Sequence, residues 1–248
     1  MSEKTTTIDA AEVAKFEAMA AEWWDPEGKF KPLHHMSPCR LDYVVDQICA
    51  QYGRRRKTRQ PLSGLSIVDV GCGGGLAAEP IARLGADVTG LDATDVNIGV
   101  AKAHAESVGL DINYRAEPAE DVVKRGETFD VVLALEVIEH VADVSVFLSA
   151  LFDLLKPGGI VILSTLNRTA KSWAMAIAGA EHILRWLPVG THDWAKFITP
   201  EELETALSEA GLLPIDSRGM VLDILSGTWS LSEDQSVNFI AAAEKPLA

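Results

Sequence analysis

Asp69-Val70-Gly71-Cys72-Gly73-Gly74-Gly75 is the stretch that decides the fold. It follows a short apolar run, Ser66 to Val70, that reads as a strand, and it opens a helix over Leu76 to Leu84. Glycines at such a turn permit positive φ angles and let a ligand reach bare backbone, while the first helical N–H groups lack partners and face it. A glycine-rich turn alone is a weak signal. Its second half is Asp92, which closes the next strand, Asp87 to Leu91, about 20 positions after Gly71, the distance at which a carboxylate meets two ribose hydroxyls. Leu76 stands where a dinucleotide fingerprint wants its third glycine. The pattern therefore suits a nucleoside ligand without a pyrophosphate.

Working outward, strands and helices alternate. Asp95 to Val108 reads as a helix, Ile112 to Arg115 as a third strand, and the unbroken apolar run Phe129 to Leu135 as a central parallel strand buried on both faces. A helix over Val144 to Leu155 is stopped by Pro157 and Gly158, and a fifth strand runs from Ile160 to Thr165. A helix over Pro200 to Ala210 precedes two weaker strands, Leu213 to Ser217 and Val237 to Ala242. Pro80 falls near the first turn of its helix, where a missing N–H costs little. The class is α/β, a doubly wound and mostly parallel sheet of seven strands.

Before the sheet, Asp9 and Glu12 have capping-box spacing, and Val13, Phe16, Ala20 and Trp23 recur at helical intervals. Pro26 and Gly28 end that helix, a loop carries Pro32 and Pro38, and Leu41, Val44, Val45 and Ile48 line a second helix. The expected organisation is one domain over 1–248: a helical cap over 1–60, a cofactor-binding core over 61–165, an apolar insertion over 166–199 and the last part of the sheet over 200–248. The basic cluster Arg54 to Arg59 reads as a solvated linker.

A formal net charge of −14 argues against holding nucleic acid, which needs a surplus of Lys and Arg on the binding face. Cys39, Cys49 and Cys72 are scattered and lack C-x-x-C spacing, so a reducing, cytoplasmic setting is expected. No stretch approaches the roughly 20 apolar residues of a membrane span.

The run Val68 to Gly75 with Asp92 resembles motif I and the acidic end of strand two in class I methyltransferases. AKFEAMAAEWWDPEGKFKPLHHMSP over Ala14 to Pro38, EVIEHV over Glu136 to Val141, STLNRTAKSW over Ser164 to Trp173 and GTHD over Gly190 to Asp193 are more specific. They resemble the ubiquinone-biosynthesis O-methyltransferase family, whose members methylate two ring hydroxyls of polyprenylated phenol and catechol precursors. The resemblance implies S-adenosylmethionine as cofactor, held by Arg40, Gly71, Asp92 and Leu135. A guanidinium at Arg40 suits the methionine carboxylate, and Leu135, where the family has Met, shares only backbone and apolar contact. Glu117 reads equally well as an acceptor for the adenine amino group or as a surface carboxylate.

The sulfonium already carries a good leaving group, so the protein's work is placing and deprotonating an oxygen nucleophile. With a tyrosine-like pKa of about 10, a ring hydroxyl costs roughly 4 kcal/mol to ionise at neutral pH. Glu136, Glu139 and His140 fall on one face of a turn after the central strand. Two roles are open to them. Eukaryotic relatives are described as magnesium-dependent through such a cluster, which implies a metal held by Glu136, Glu139 and His140; magnesium, however, prefers oxygen to imidazole. The alternative is His140 acting as base without a metal, with Glu136 beside it and His192, next to Asp193, as a further candidate.

Between the fifth strand and Pro200 lies a long insertion containing Trp173, Met175, Ile177, Ile183, Leu184, Trp186 and Leu187. A helix over 172–187 is too short to cross a bilayer but suits lying on one, with Lys171 and Arg185 at the headgroups. The expectation is peripheral contact with the inner face of the cytoplasmic membrane; a helix that merely covers the pocket is the alternative. Membership of a larger biosynthetic assembly stays open.

Overall fold

The computed structural model describes residues 7–175, 193–223 and 226–247. The chain forms α1 (Ala10–Glu17), α2 (Lys31–Gln51), β1 (Ser66–Val70), α3 (Ala78–Arg83), β2 (Asp87–Asp92), α4 (Asp95–Ser107), β3 (Asn113–Ala116), α5 (Ala119–Lys124) and β4 (Phe129–Leu135). It continues through α6 (Val144–Leu154), β5 (Leu155–Leu166), α7 (Ala170–Ser172), α8 (Pro200–Glu209), β6 (Leu213–Asp223), β7 (Thr228–Ser232) and β8 (Asn238–Glu244).

One sheet runs in the order β3-β2-β1-β4-β5-β8-β6-β7. The first five strands in that order are parallel, and β8 lies antiparallel between β5 and β6. Chain direction across the sheet reverses between β1 and β4, so the crevice beyond their C-terminal ends is where an open α/β sheet takes a ligand. Alternate residues of β4 explain its unbroken apolar run. Val131 and Leu133 pack with α2, α3 and α4, whereas Val132 and Ala134 pack with α5, α6 and α8.

Five elements differ from the sequence expectation. The first helix ends at Glu17 rather than near Pro26, and a separate tight turn, Ala20–Glu22, leads to Trp23. The second helix starts at Lys31 rather than near Leu41, with Pro32 at its first turn and Pro38 inside it; its N-terminal half buries Met36 and Cys39 against the core, and that packing outweighs the proline. β5 begins directly at Leu155 and carries Pro157 and Gly158 within it, its pairing with β4 interrupted by a register shift between Phe129 and Val131. α5 is six residues long, too short to show a period. Among the described residues the sheet has eight strands rather than seven, because β6 runs on to Asp223 and β7 pairs with it from Thr228. β7 is half-exposed, so no apolar stripe marks it.

The N-terminal segment folds back over the sheet's C-terminal end. Asp9 caps α1, accepting from the Ala11 and Glu12 amides. Just before it, the Ala142 amide donates to the Thr7 carbonyl and the Thr7 amide to Glu120. Met19, Trp23 and Phe30 then pack with Leu76 at the glycine turn. Among the described residues no helix is long and apolar enough to cross a membrane. Residues 176–187 of the expected interfacial helix lie outside the described residues, whereas Trp173 and Met175 at its start are exposed.

Candidate active site

A cavity of about 320 Å³ opens at the switch between β1 and β4. Gly71, Gly73, Asp92, Leu135, Glu136 and His140 all line it, as do Phe16, Leu33 and Met36 from the N-terminal helices and Leu222, Trp229 and Asn238 from the far strands. Its wall is mostly apolar, with the polar groups gathered at the strand ends.

Gly71 sits at φ 73°, and a Cβ there would fall 2.6 Å from Val137 Cγ2, so both conformation and space demand glycine. Asp92, nearly buried, accepts at Oδ2 from the Gly73 amide (2.9 Å) and at Oδ1 from the Thr94 amide and Asn97 Nδ2 (both 3.1 Å). Burial pushes its carboxyl up from the ordinary range, and the donors from Asn97, Thr94 and Gly73 oppose that rise.

Arg40, expected at the cofactor, is a buried guanidinium on α2, one turn beyond Met36. Its Nε has no hydrogen-bond partner, and neither has Oδ2 of buried Asp69 at the end of β1. Burial pulls the guanidinium down, opposed by the carboxylates of Glu136, Asp69 and Glu139. Burial likewise raises the Asp69 carboxyl to about 7, against the favourable field of Arg40. Unsatisfied buried charges of opposite sign are costly. Neither Arg40 nor Asp69 is among the residues that line the cavity, although Val70 and Gly71, next to Asp69, are; the unpartnered Arg40 Nε suits a carboxylate and Asp69 Oδ2 an ammonium.

After β4 the chain enters Glu136 at φ 57°, the one non-glycine residue in the left-handed region among those described. Such strain concentrates at functional sites. Ser164 Oγ donates to Glu136 Oε1 (2.6 Å). The tight turn Ile138–His140 then points buried Glu139 at Thr165, whose Oγ1 donates to it at 2.8 Å. His140 turns the other way: its Nδ1 lies 2.9 Å from Glu12 Oε2 on α1, and Phe16 meets the ring edge-on at 5.0 Å. Burial lowers the imidazole's pKa, but Glu12, Glu139 and Glu136 together carry it above its ordinary value. Glu12 in turn is held down to about 2, chiefly by His140.

The metal-site expectation meets a specific obstacle here. Glu136, Glu139 and His140 all border the cavity or its wall, yet each is turned to a different partner. Among the described residues no three His, Cys, Asp or Glu side chains come together in a way that could hold a metal ion. Glu117 lines the cavity, but Arg125 grips both of its carboxylate oxygens, at 2.6 and 2.7 Å. His192 lies outside the described residues; Asp193, its neighbour, caps the short turn Trp194–Lys196.

Sequence reasoning missed Glu12, Asp69 and Asn97. Glu12 was hidden by a plausible local role, since Asp9-x-x-Glu12 reads as a capping box. Asp9 does cap, but the Glu12 carboxylate reaches His140 and Lys15 instead of returning to the cap. No local pattern marks the long-range pairing with residue 140. Asp69 stood in the quoted motif without a role because its significance depends on Arg40 being buried nearby.

A family model described as a methyltransferase domain matches residues 40–216. The ubiquinone biosynthesis O-methyltransferase of Dinoroseobacter shibae is 60% identical over 247 residues, covering 99% of this chain and 100% of that protein. Its namesake from Cereibacter sphaeroides is 60% identical over 243 residues, with 98% of both chains covered. The magnesium protoporphyrin IX methyltransferase of Synechocystis, solved with S-adenosylmethionine bound, shares the fold at a TM-score of 0.62 and 19% identity, over 98% of this chain and all of that one. With near-complete coverage at that identity, and a glycine turn and Asp92 carboxylate arranged at the switch point, the chain belongs to the ubiquinone biosynthesis O-methyltransferase family.

Proposed function

We propose that the protein transfers a methyl group from S-adenosylmethionine to ring hydroxyls of polyprenyl phenols and catechols, at both O-methylation steps of ubiquinone synthesis. The observation that carries this is the pairing of two unlike regions in one cavity: charged strand ends suited to an amino acid nucleoside, and an apolar wall suited to a prenylated ring. When bound, the cofactor supplies a methyl on a sulfonium with a neutral thioether as leaving group.

Arg40 receives the cofactor carboxylate and Asp69 its ammonium, each ending an unpartnered burial. Gly71 lets the nucleoside lie against backbone, Asp92 accepts from the ribose hydroxyls, and Leu135 gives an apolar contact. On the substrate side, His140 lines the cavity and, oriented by Glu12 at Nδ1, is the proposed acceptor of the ring proton. Glu136 and Glu139 stabilise the imidazolium that results. Glu136, Glu139 and His140 do not converge on one point among the described residues, which favours the metal-free reading with His140 as base. His192 remains a proposed second base, and the exposed Trp173 and Met175 support a proposal of peripheral contact with the membrane in which the substrate resides.

The test is incorporation of labelled methyl into lipid, using a polyprenyl catechol and a polyprenyl monophenol in parallel, each with and without chelator. Label in both lipids, unaffected by chelation, is the expected result. Label in one alone removes the two-step assignment, and loss on chelation restores the metal. A tail-less catechol run alongside, if labelled while neither lipid is, overturns the lipid assignment.

A further inference from the structure

The glycine turn also serves as a packing surface for the N-terminal segment, at the edge of the cavity. A Cβ at Gly73 would stand 2.3 Å from Trp23 Cζ2, and one at Gly74 2.5 Å from Trp23 Cβ. Gly73 and Gly74 are thus bare where a tryptophan of the N-terminal segment lies upon them. Trp23 is 6% exposed and stacks on Phe30 at 3.7 Å. Its neighbour Trp24 donates from Nε1 to the Gly74 carbonyl at 2.9 Å.

The polar end of Trp23 has a specific destination. Its indole Nε1 donates to Asn97 Oδ1 (2.9 Å), and Asn97 Nδ2 donates to Asp92 Oδ1 (3.1 Å), both bonds fully buried. An indole N–H is donor only, so it forces the Asn97 oxygen toward itself and the amide N–H toward Asp92. Meanwhile the Gly73 amide, under the Trp23 ring, donates to the other oxygen of Asp92. Both oxygens of that carboxylate are therefore aimed by groups that Trp23 touches.

We propose that Trp23 is a positioning residue for ribose recognition: through Asn97 and Gly73 it aims the Asp92 carboxylate, so that docking of the N-terminal segment and binding of the cofactor's ribose favour one another. This rests on Asp92 as the ribose acceptor. Coupling of this kind is reciprocal, so the cofactor must tighten the Trp23 contact as much as Trp23 tightens the cofactor.

The experiment measures binding of S-adenosylhomocysteine, and of its analogue lacking one ribose hydroxyl, to the full chain and to Trp23→Phe, which keeps the ring packing and removes the donor. Expected is a Kd for S-adenosylhomocysteine weakened about 5- to 10-fold, as for one lost hydrogen bond, with kcat at saturating cofactor within about 2-fold of wild type and a smaller loss for the deoxy analogue. Asn97→Ala should lose at least as much, and the double variant no more than Asn97→Ala, because the two act in series. Equal losses for both ligands, or additive losses in the double variant, would overturn the proposal by reducing Trp23 to packing. Asp92→Asn that binds S-adenosylhomocysteine normally would instead remove the ribose assignment on which it rests. Should Trp23→Phe not fold, hydrogen exchange of the Trp23 indole N–H in the wild type decides: slowing by about 5-fold or more on ligand binding supports the coupling, and an unchanged rate refutes it.

Discussion

Asp69 shows what burial does to a single carboxyl. Its raised pKa of about 7 means the folded protein binds a proton there that the unfolded chain has released, so this group makes stability fall as pH rises from about 4 toward 7. Asp69→Asn is therefore expected to raise the melting temperature of the ligand-free protein at pH 8 while weakening S-adenosylmethionine binding about 10-fold or more, as measured by calorimetry. Glu12 and His140 carry the opposite signs from one another. Glu12, depressed to about 2, stabilises above its ordinary 4.5 and loses that effect as pH falls through 2. His140, raised, stabilises below 6.5 and loses it as pH climbs through its elevated value. The pair holds most firmly between about 4.5 and 6.5, whereas the proposed base role requires neutral His140, so turnover is expected to rise above that window. In Glu12→Gln the rise of kcat with pH should move to lower pH, with a lower plateau because the ring loses its orienting partner; an unshifted profile would detach Glu12 from the chemistry.

Helix α1 is too short to stand alone and is held by ions rather than by a deep apolar face. Lys196, from the turn before α8, reaches Asp9 at 2.9 Å and Glu12 at 3.6 Å. Lys196→Met should change global stability by less than about 1 kcal/mol, since the pair is partly exposed, yet speed amide exchange throughout α1; exchange confined to the first turn would count against a strap across the helix. Elements of this kind explain what the sequence concealed. The strands around Gly71 were legible because burial on both faces writes an apolar run such as Phe129 to Leu135; α8 was found at its expected place, with Thr199 and Glu202 forming a capping box at its start. β7 and α5 were not, being short and half-wet. Lys31 to Leu41 was misread because two prolines outweigh, locally, the packing that only the folded core supplies.

Across the whole molecule, the arrangement of Gly71 and Asp92 was readable because both lie within one βαβ stretch, where spacing translates directly into geometry, whereas Arg40 on α2 and Leu135 on β4 were assigned only through resemblance. The catalytic half was readable only in part. His140 follows a strand end, but Glu12 joins it from the opposite end of the chain, and Asn238 and Trp229 reach the cavity from strands placed by the antiparallel return of β8. Ligand-induced stabilisation tests the integrated site. S-adenosylhomocysteine at 100 times its Kd should add about 2.7 kcal/mol, visible as a rise in melting temperature, and NAD at the same concentration should add nothing; equal effects would contradict the nucleoside reading of the glycine turn.

The position of β8 bears on how the protein is made. This strand follows every other in the chain, yet it pairs along the full apolar edge of β5 and separates it from β6. While the polypeptide leaves the ribosome, the parallel half can assemble early, but it must present β5 as an open edge until the last strand emerges. Synthesis that stalls within this final stretch would leave a nearly finished sheet whose exposed border invites pairing with a neighbouring nascent chain.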